Sequence, residues 1–112
     1  MKNTLIQINS NGMGTSELAL ASILIEKYFQ LLLEEDVAPK FIVFYNEGVK
    51  LLCEDSNCLK FLQELAEKGT KLIGCSTCLN YFKLTEKLAV GTRGSMQDII
   101  SLQAKVDKVI SL

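Results

Sequence analysis

Short apolar runs alternate with segments of helical period along this chain. Thr4-Leu5-Ile6-Gln7-Ile8 reads as a strand and Asn9 to Gly14 as a turn-rich loop. Thr15 or Ser16 is placed to cap a helix running to about Glu35. Its polar residues Ser22, Glu26, Gln30 and Glu34 recur every fourth position and so form one narrow stripe. A helix lying on a sheet needs an apolar arc of only about 100°. The excess of apolar surface predicts a second buried contact, with another subunit.

Beyond Pro39, Phe41-Ile42-Val43-Phe44-Tyr45 is apolar at every position, as a central parallel strand should be. Asn46-Glu47-Gly48 breaks the run, and Gly48 to Leu52 suggests a short helical turn. Ser56 precedes a helix in which Cys58, Leu59, Leu62, Leu65 and Ala66 share a face, and Gly69 stops it. Lys71-Leu72-Ile73-Gly74 is a third strand, leading into Cys75-Ser76-Thr77-Cys78 and the start of a helix with Leu79, Tyr81 and Phe82. Leu88 to Gly91 reads as a fourth strand. Ser95-Met96-Gln97-Asp98 resembles a capping box with Asp in the usual Glu position, and places Met96 in the core. Val106 to Leu112 is a fifth strand. The strand–helix alternation predicts one domain over residues 1–112, a parallel sheet with helices on both faces.

Composition narrows the chemistry. The chain has 112 residues, 48% of them hydrophobic, with a net charge of −1 and no basic patch, so nucleic acid is not an expected partner. The apolar stretch Leu18 to Leu33 is interrupted by Glu26, Lys27 and Gln30 and is short for a bilayer, so no membrane is expected either. The first strand begins at Thr4, which leaves no room for a signal peptide, and the expected location is the cytoplasm. There is no histidine, which excludes Ser–His and Cys–His catalysis and His-ligated zinc or haem. Four cysteines make the thiol the reactive group to examine, and a reducing compartment keeps them free.

In open parallel sheets, ligands bind at the carboxyl ends of the strands. The loops expected there are Asn9–Thr15, Asn46–Gly48, Cys75–Cys78 and Gly91–Ser95. Cys75 and Cys78 therefore stand where this architecture puts chemistry. Their spacing lets one sulfur attack and the other resolve, and a helix start favours thiolate. The competing reading is two small buried side chains. A four-thiolate zinc site is a further alternative, since Cys53-x4-Cys58 precedes Cys75-x2-Cys78 by sixteen residues. Cys58 lies on an apolar helical face, which favours a buried thiol there. Gly12-x-Gly14 lacks the third glycine of a dinucleotide fingerprint and the lysine of a P-loop, and reads as a tight turn. Gly12, Gly14, Asn46, Gly48 and Arg93, the only arginine, are the candidate residues lining the cleft.

The chain resembles the DsrE/DsrF-like family, and most closely the DsrE-like domain of YedF-type sulfurtransferase-like selenium metabolism proteins. The resemblance runs over nearly the whole chain. It rests on Gly12-Met13-Gly14 with Glu17-Leu18, on Asn46 to Leu51, on Cys75-Ser76-Thr77-Cys78-Leu79-Asn80-Tyr81-Phe82, on Leu88 to Gly91 and on Ser95 to Ile99. Ser76 stands where the family has glycine, and Ser95-Met96-Gln97 where it has Asn-Met-Tyr. The resemblance implies a three-layer α/β/α fold with a five-stranded, mainly parallel sheet, and a homo-oligomer, trimeric or hexameric. It also implies a persulfide on Cys75, with Cys78 as its resolving thiol. No prosthetic group is implied. Sulfur donor and acceptor proteins are the implied partners, a TusA/SirA-like protein among them.

Overall fold

The structure is a computed structural model that describes residues Met1 to Leu112. The unbroken apolar run becomes β2 (Phe41–Phe44), buried at all four positions because strands flank it and helices cover it. Around it lie β1 (Thr4–Ile8), β3 (Lys71–Cys75), β4 (Thr92–Gly94) and β5 (Lys108–Ser111), in the order β4-β3-β2-β1-β5 with every pair parallel. The helices are α1 (Leu18–Leu32), α2 (Leu59–Glu67), α3 (Ser76–Tyr81) and α4 (Met96–Lys105), with 3-10 segments at Asn46–Leu52 and Thr85–Lys87.

From β1 to β4 the chain steps one way across the sheet, and the last connection returns to the far edge beside β1. Right-handed crossovers then put α1 and α2 on one face and α4 on the other. Packing agrees: α1 touches α2, while Gln103 of α4 donates to Gln7 of β1 at 2.8 Å. One buried cluster fills the interior, with Leu5, Ile6, Ile8, Phe29, Ile42, Phe44 and Leu62 fully enclosed. The three-layer α/β/α reading of the sequence holds.

Several local expectations are corrected. Helix α1 starts after Glu17, and neither Thr15 nor Ser16 caps it. Both are exposed in a loop that Gly14 turns with a φ of +83°. Its last regular residue is Leu32, and Glu34 and Glu35 continue only as tighter turns, donating to Leu31 and Leu32. The fourth strand is Thr92–Gly94 instead of Leu88–Gly91. Leu88 and Ala89 are held elsewhere, Leu88 by an antiparallel bridge to Cys53 and Ala89 by donation to the Leu52 carbonyl at 2.8 Å. Met96 is half exposed, because it opens α4 at the surface. The capping box is present as read: Ser95 Oγ accepts from the Asp98 N–H, and Asp98 Oδ2 accepts from the Ser95 N–H at 2.9 Å.

Burial on α1 falls on Ala21, Ile25, Phe29 and Leu32, one face of the helix. Leu20, Ile23, Leu24 and Leu31 lie on the opposite face, open to solvent. The apolar excess read from the sequence is thus unsatisfied within one chain.

Candidate functional site

Two glycines bring the loops at the carboxyl edge together. A Cβ on Gly12 would lie 2.7 Å from the Ala21 Cβ, so the first loop can fold onto α1 only without a side chain there. A Cβ on Gly48 would collide with the Ile8 carbonyl oxygen, so the 3-10 segment can lie on the end of β1. That position is tied further by the Tyr45 N–H to Ile8 and the Gly48 N–H to Tyr45, at 3.0 and 2.9 Å. Next along the sheet, β3 hands over to α3 at Cys75, where the sequence placed the junction. The Ser76 hydroxyl donates to the Gly94 carbonyl at 3.1 Å and ties the start of α3 to β4.

The two sulfurs have unlike surroundings. Cys75 is 0% exposed and belongs to the core cluster. Cys78, one helical turn on, is half-buried, and its Sγ accepts the main-chain N–H of Asn46 at 3.1 Å. Burial pushes the Cys78 thiol above the usual range, the Asn46 N–H draws it back, and a hydrogen bond with Cys75 pushes it up again. The sequence expectation was a readily ionised sulfur favoured by the helix start. Instead the donor comes from across the cleft, and α3, six residues long, adds little dipole.

The remaining candidates separate. Asn46 and Gly14 line one cavity of about 500 Å³, together with Asn9, Ser10, Asn11, Thr15, Ser16 and Phe82. Gly12 and Gly48 act beneath it by allowing close packing. Arg93 is not in a cleft loop: it is an exposed residue of edge strand β4 and lines neither this cavity nor the next. A second cavity, also about 500 Å³, lies between α1, the 3-10 segment after β2 and the approach to α2. Cys53 and Cys58 line it, with Lys50, Glu54 and Lys87. Cys58 is pushed up to about 11, by burial and then by Glu26, which makes it an inert thiol. The four cysteines do not converge, and no three Cys, Asp or Glu side chains gather as a metal would need, so the four-thiolate zinc alternative fails.

Sequence reasoning missed two groups. The first is the Asn46 N–H, a main-chain donor that carries no side-chain signature. The second is Phe82, which borders both cavities and packs under the Lys50 ammonium, 4.8 Å from the ring centre. Lys50 also pairs with Glu47 at 3.6 Å, an exposed contact worth little by itself.

No helix of the structure is long and apolar enough to cross a membrane. Among proteins of curated function none matches the chain. Solved structures share its fold. The ychN protein from E. coli superposes with a TM-score of 0.75 at 17% identity, with all of both chains covered. MTH1491 from Methanobacterium thermoautotrophicum, a protein of unknown function, gives 0.70 at 20% identity over 97% of each chain. BT1422 from Bacteroides thetaiotaomicron, also of unknown function, gives 0.65 at 16% identity over 98% of this chain and 95% of that one. A family model described as DsrE/DsrF-like matches residues 2–112. With that match over almost its whole length, on a five-stranded parallel sheet that carries a cysteine pair at its carboxyl edge, the chain belongs to the DsrE/DsrF-like family.

Proposed function

We propose that this protein is a sulfur-relay protein that carries sulfane sulfur as a persulfide on Cys78, with Cys75 as the resolving thiol. The observation that carries the reading is the half-buried Cys78 Sγ, hydrogen-bonded by Asn46 and backed by the enclosed thiol of Cys75. The exposures favour Cys78 over Cys75 as the sulfur that meets a donor.

In the loading step the Cys78 thiolate attacks the outer sulfur of a donor persulfide. The donor's S–S bond breaks, the donor leaves as a thiolate and takes a proton, and Cys78 becomes a persulfide. In the release step an acceptor thiolate takes that outer sulfur and Cys78 returns to thiolate. If instead Cys75 attacks Cys78 Sγ, a disulfide forms and hydrosulfide leaves, so the pair protects itself. A raised thiol pKa suits a carrier. The thiolate fraction is smaller, but each thiolate is a stronger nucleophile toward a donor's outer sulfur.

The YedF-type resemblance of the Cys75–Phe82 segment extends the same chemistry to selenium. Donor and acceptor are then proteins of a sulfur relay, in a cytoplasm reducing enough to keep the four cysteines free. The unpartnered apolar face of α1 supports a homo-oligomer in this reading. Light scattering should then give a multiple of the chain mass, falling to one chain in the double variant Leu20→Glu, Leu24→Glu. A wild type of single-chain mass would remove the oligomer.

Intact mass spectrometry after exposure to a sulfane-sulfur donor tests the carrier. A gain of one sulfur mass is expected in wild type and in Cys75→Ser, and none in Cys78→Ser. A wild type that takes up no sulfur, or a Cys78→Ser variant that still loads, defeats the proposal.

A further inference from the structure

Resting on the persulfide reading of Cys78, we infer that the main-chain N–H of Asn46 holds charge on Cys78 Sγ as sulfur leaves it, and that the left-handed backbone of Asn46 makes it a positioning residue for transfer. When an acceptor thiolate attacks the outer sulfur, the bond from that sulfur to Sγ breaks and its electron pair stays on Sγ. The outer sulfur departs on the acceptor as a new persulfide, with no net oxidation. Negative charge therefore appears at the atom that already receives the Asn46 N–H at 3.1 Å. A donor aimed in advance at developing charge stabilises it without having to reorganise.

The backbone around Asn46 is built to present that donor. Asn46 has a φ of +50°, a conformation that costs most residues and that asparagine tolerates better than others. The chain is clamped on both sides of it. Tyr45 is bonded to the end of β1, and Gly48 is seated on the Ile8 carbonyl with no room for a Cβ. An ordinary φ at residue 46 would swing the peptide N–H away from α3 while its neighbours stayed in place. Of the ionisable groups around Cys78, the Cys75 thiol lies on the β3 side. On the 3-10 segment Glu47 and Lys50 are paired with each other, and Lys50 rests on Phe82.

Two measurements test the assignment. In ¹⁵N-labelled wild type, the Asn46 amide proton should move in step with the ionisation of Cys78, read by NMR as pH rises. In the loaded protein, discharge to a small thiol should be about tenfold slower in Asn46→Val, the loss of one charge-assisted hydrogen bond. Asn46→Gly, which keeps the left-handed backbone, should discharge at the wild-type rate. Asn46→Val should also shift the alkylation midpoint of Cys78 to higher pH. Should the valine variant fail to fold, Asn46→Ala should move rate and midpoint the same way by less. An Asn46 amide that ignores Cys78 ionisation, or equal discharge from the glycine variant and the valine or alanine variant, overturns the inference. The titration is read on the unloaded protein, so its failure is distinct from a failure to load sulfur.

Discussion

Iodoacetamide applied to the folded protein should label Cys78, with Cys53, Cys58 and Cys75 slower by on the order of a thousandfold or more. Cys78 is the half-buried thiol, and the other three are at most 5% exposed. Cys75 reacts only when the core opens, and Cys53 and Cys58, which border a cavity with almost no exposed surface, need a local opening; each factor of ten in protection corresponds to about 1.4 kcal/mol of opening free energy. The pH profile carries a second signature. Burial raises the Cys78 thiol, so its rate should keep climbing beyond the point where an unfolded cysteine levels off. Protection of Cys58 has to be read below its ordinary value of 9.0. Its folded pKa, near 11, lies above the unfolded one, so its share of stability is complete below 9.0 and drains away as pH rises through 11. Peptide mapping assigns each label. Cys75 reacting as fast as Cys78 would return the lead role to Cys75. No reaction at either would leave a binding module with structural thiols.

Phe44→Ala should cost about 3–5 kcal/mol, enough to lower the melting temperature by roughly 15 °C. Phe44 is fully enclosed at the carboxyl end of the central strand. Its register partners are Ile8 on one side and Gly74 on the other, so a glycine flanks one of the two phenylalanines of the strand. Removing the ring leaves a void that a sheet closed on both sides cannot collapse to fill. The same residue stands two positions before Asn46, so loosening it should also blur the donor that meets Cys78. Thermal unfolding by circular dichroism reads the first effect, and selective alkylation at Cys78 the second. A shift of only a few degrees would mean that β2 does not anchor the core.

How much of this was legible depends on the range of the interaction involved. The order of strands and helices was readable because Phe41–Phe44 is apolar throughout and because Ser95 and Asp98 signal a helix start within four residues. These are local patterns. The fourth strand was misplaced because Leu88 to Gly91 has the composition of a strand, yet its hydrogen bonds go to Leu52 and Cys53, far away in sequence. The cap of α1 was misplaced for a related reason: Gly12 packs on Ala21 and holds the loop so that Thr15 and Ser16 face solvent.

The site divides in the same way. Residue order alone put a thiol pair at the end of β3 with glycine-bearing loops beside it, since connectivity determines which edge of a parallel sheet the loops share. Which sulfur is reachable, how readily it ionises and what donates to it could not be read that way. Burial of Cys75, the raised Cys78 thiol and the Asn46 N–H at 3.1 Å depend on the distance between segments more than thirty residues apart. Proton affinity is a property of surroundings, and only packing in three dimensions supplies surroundings.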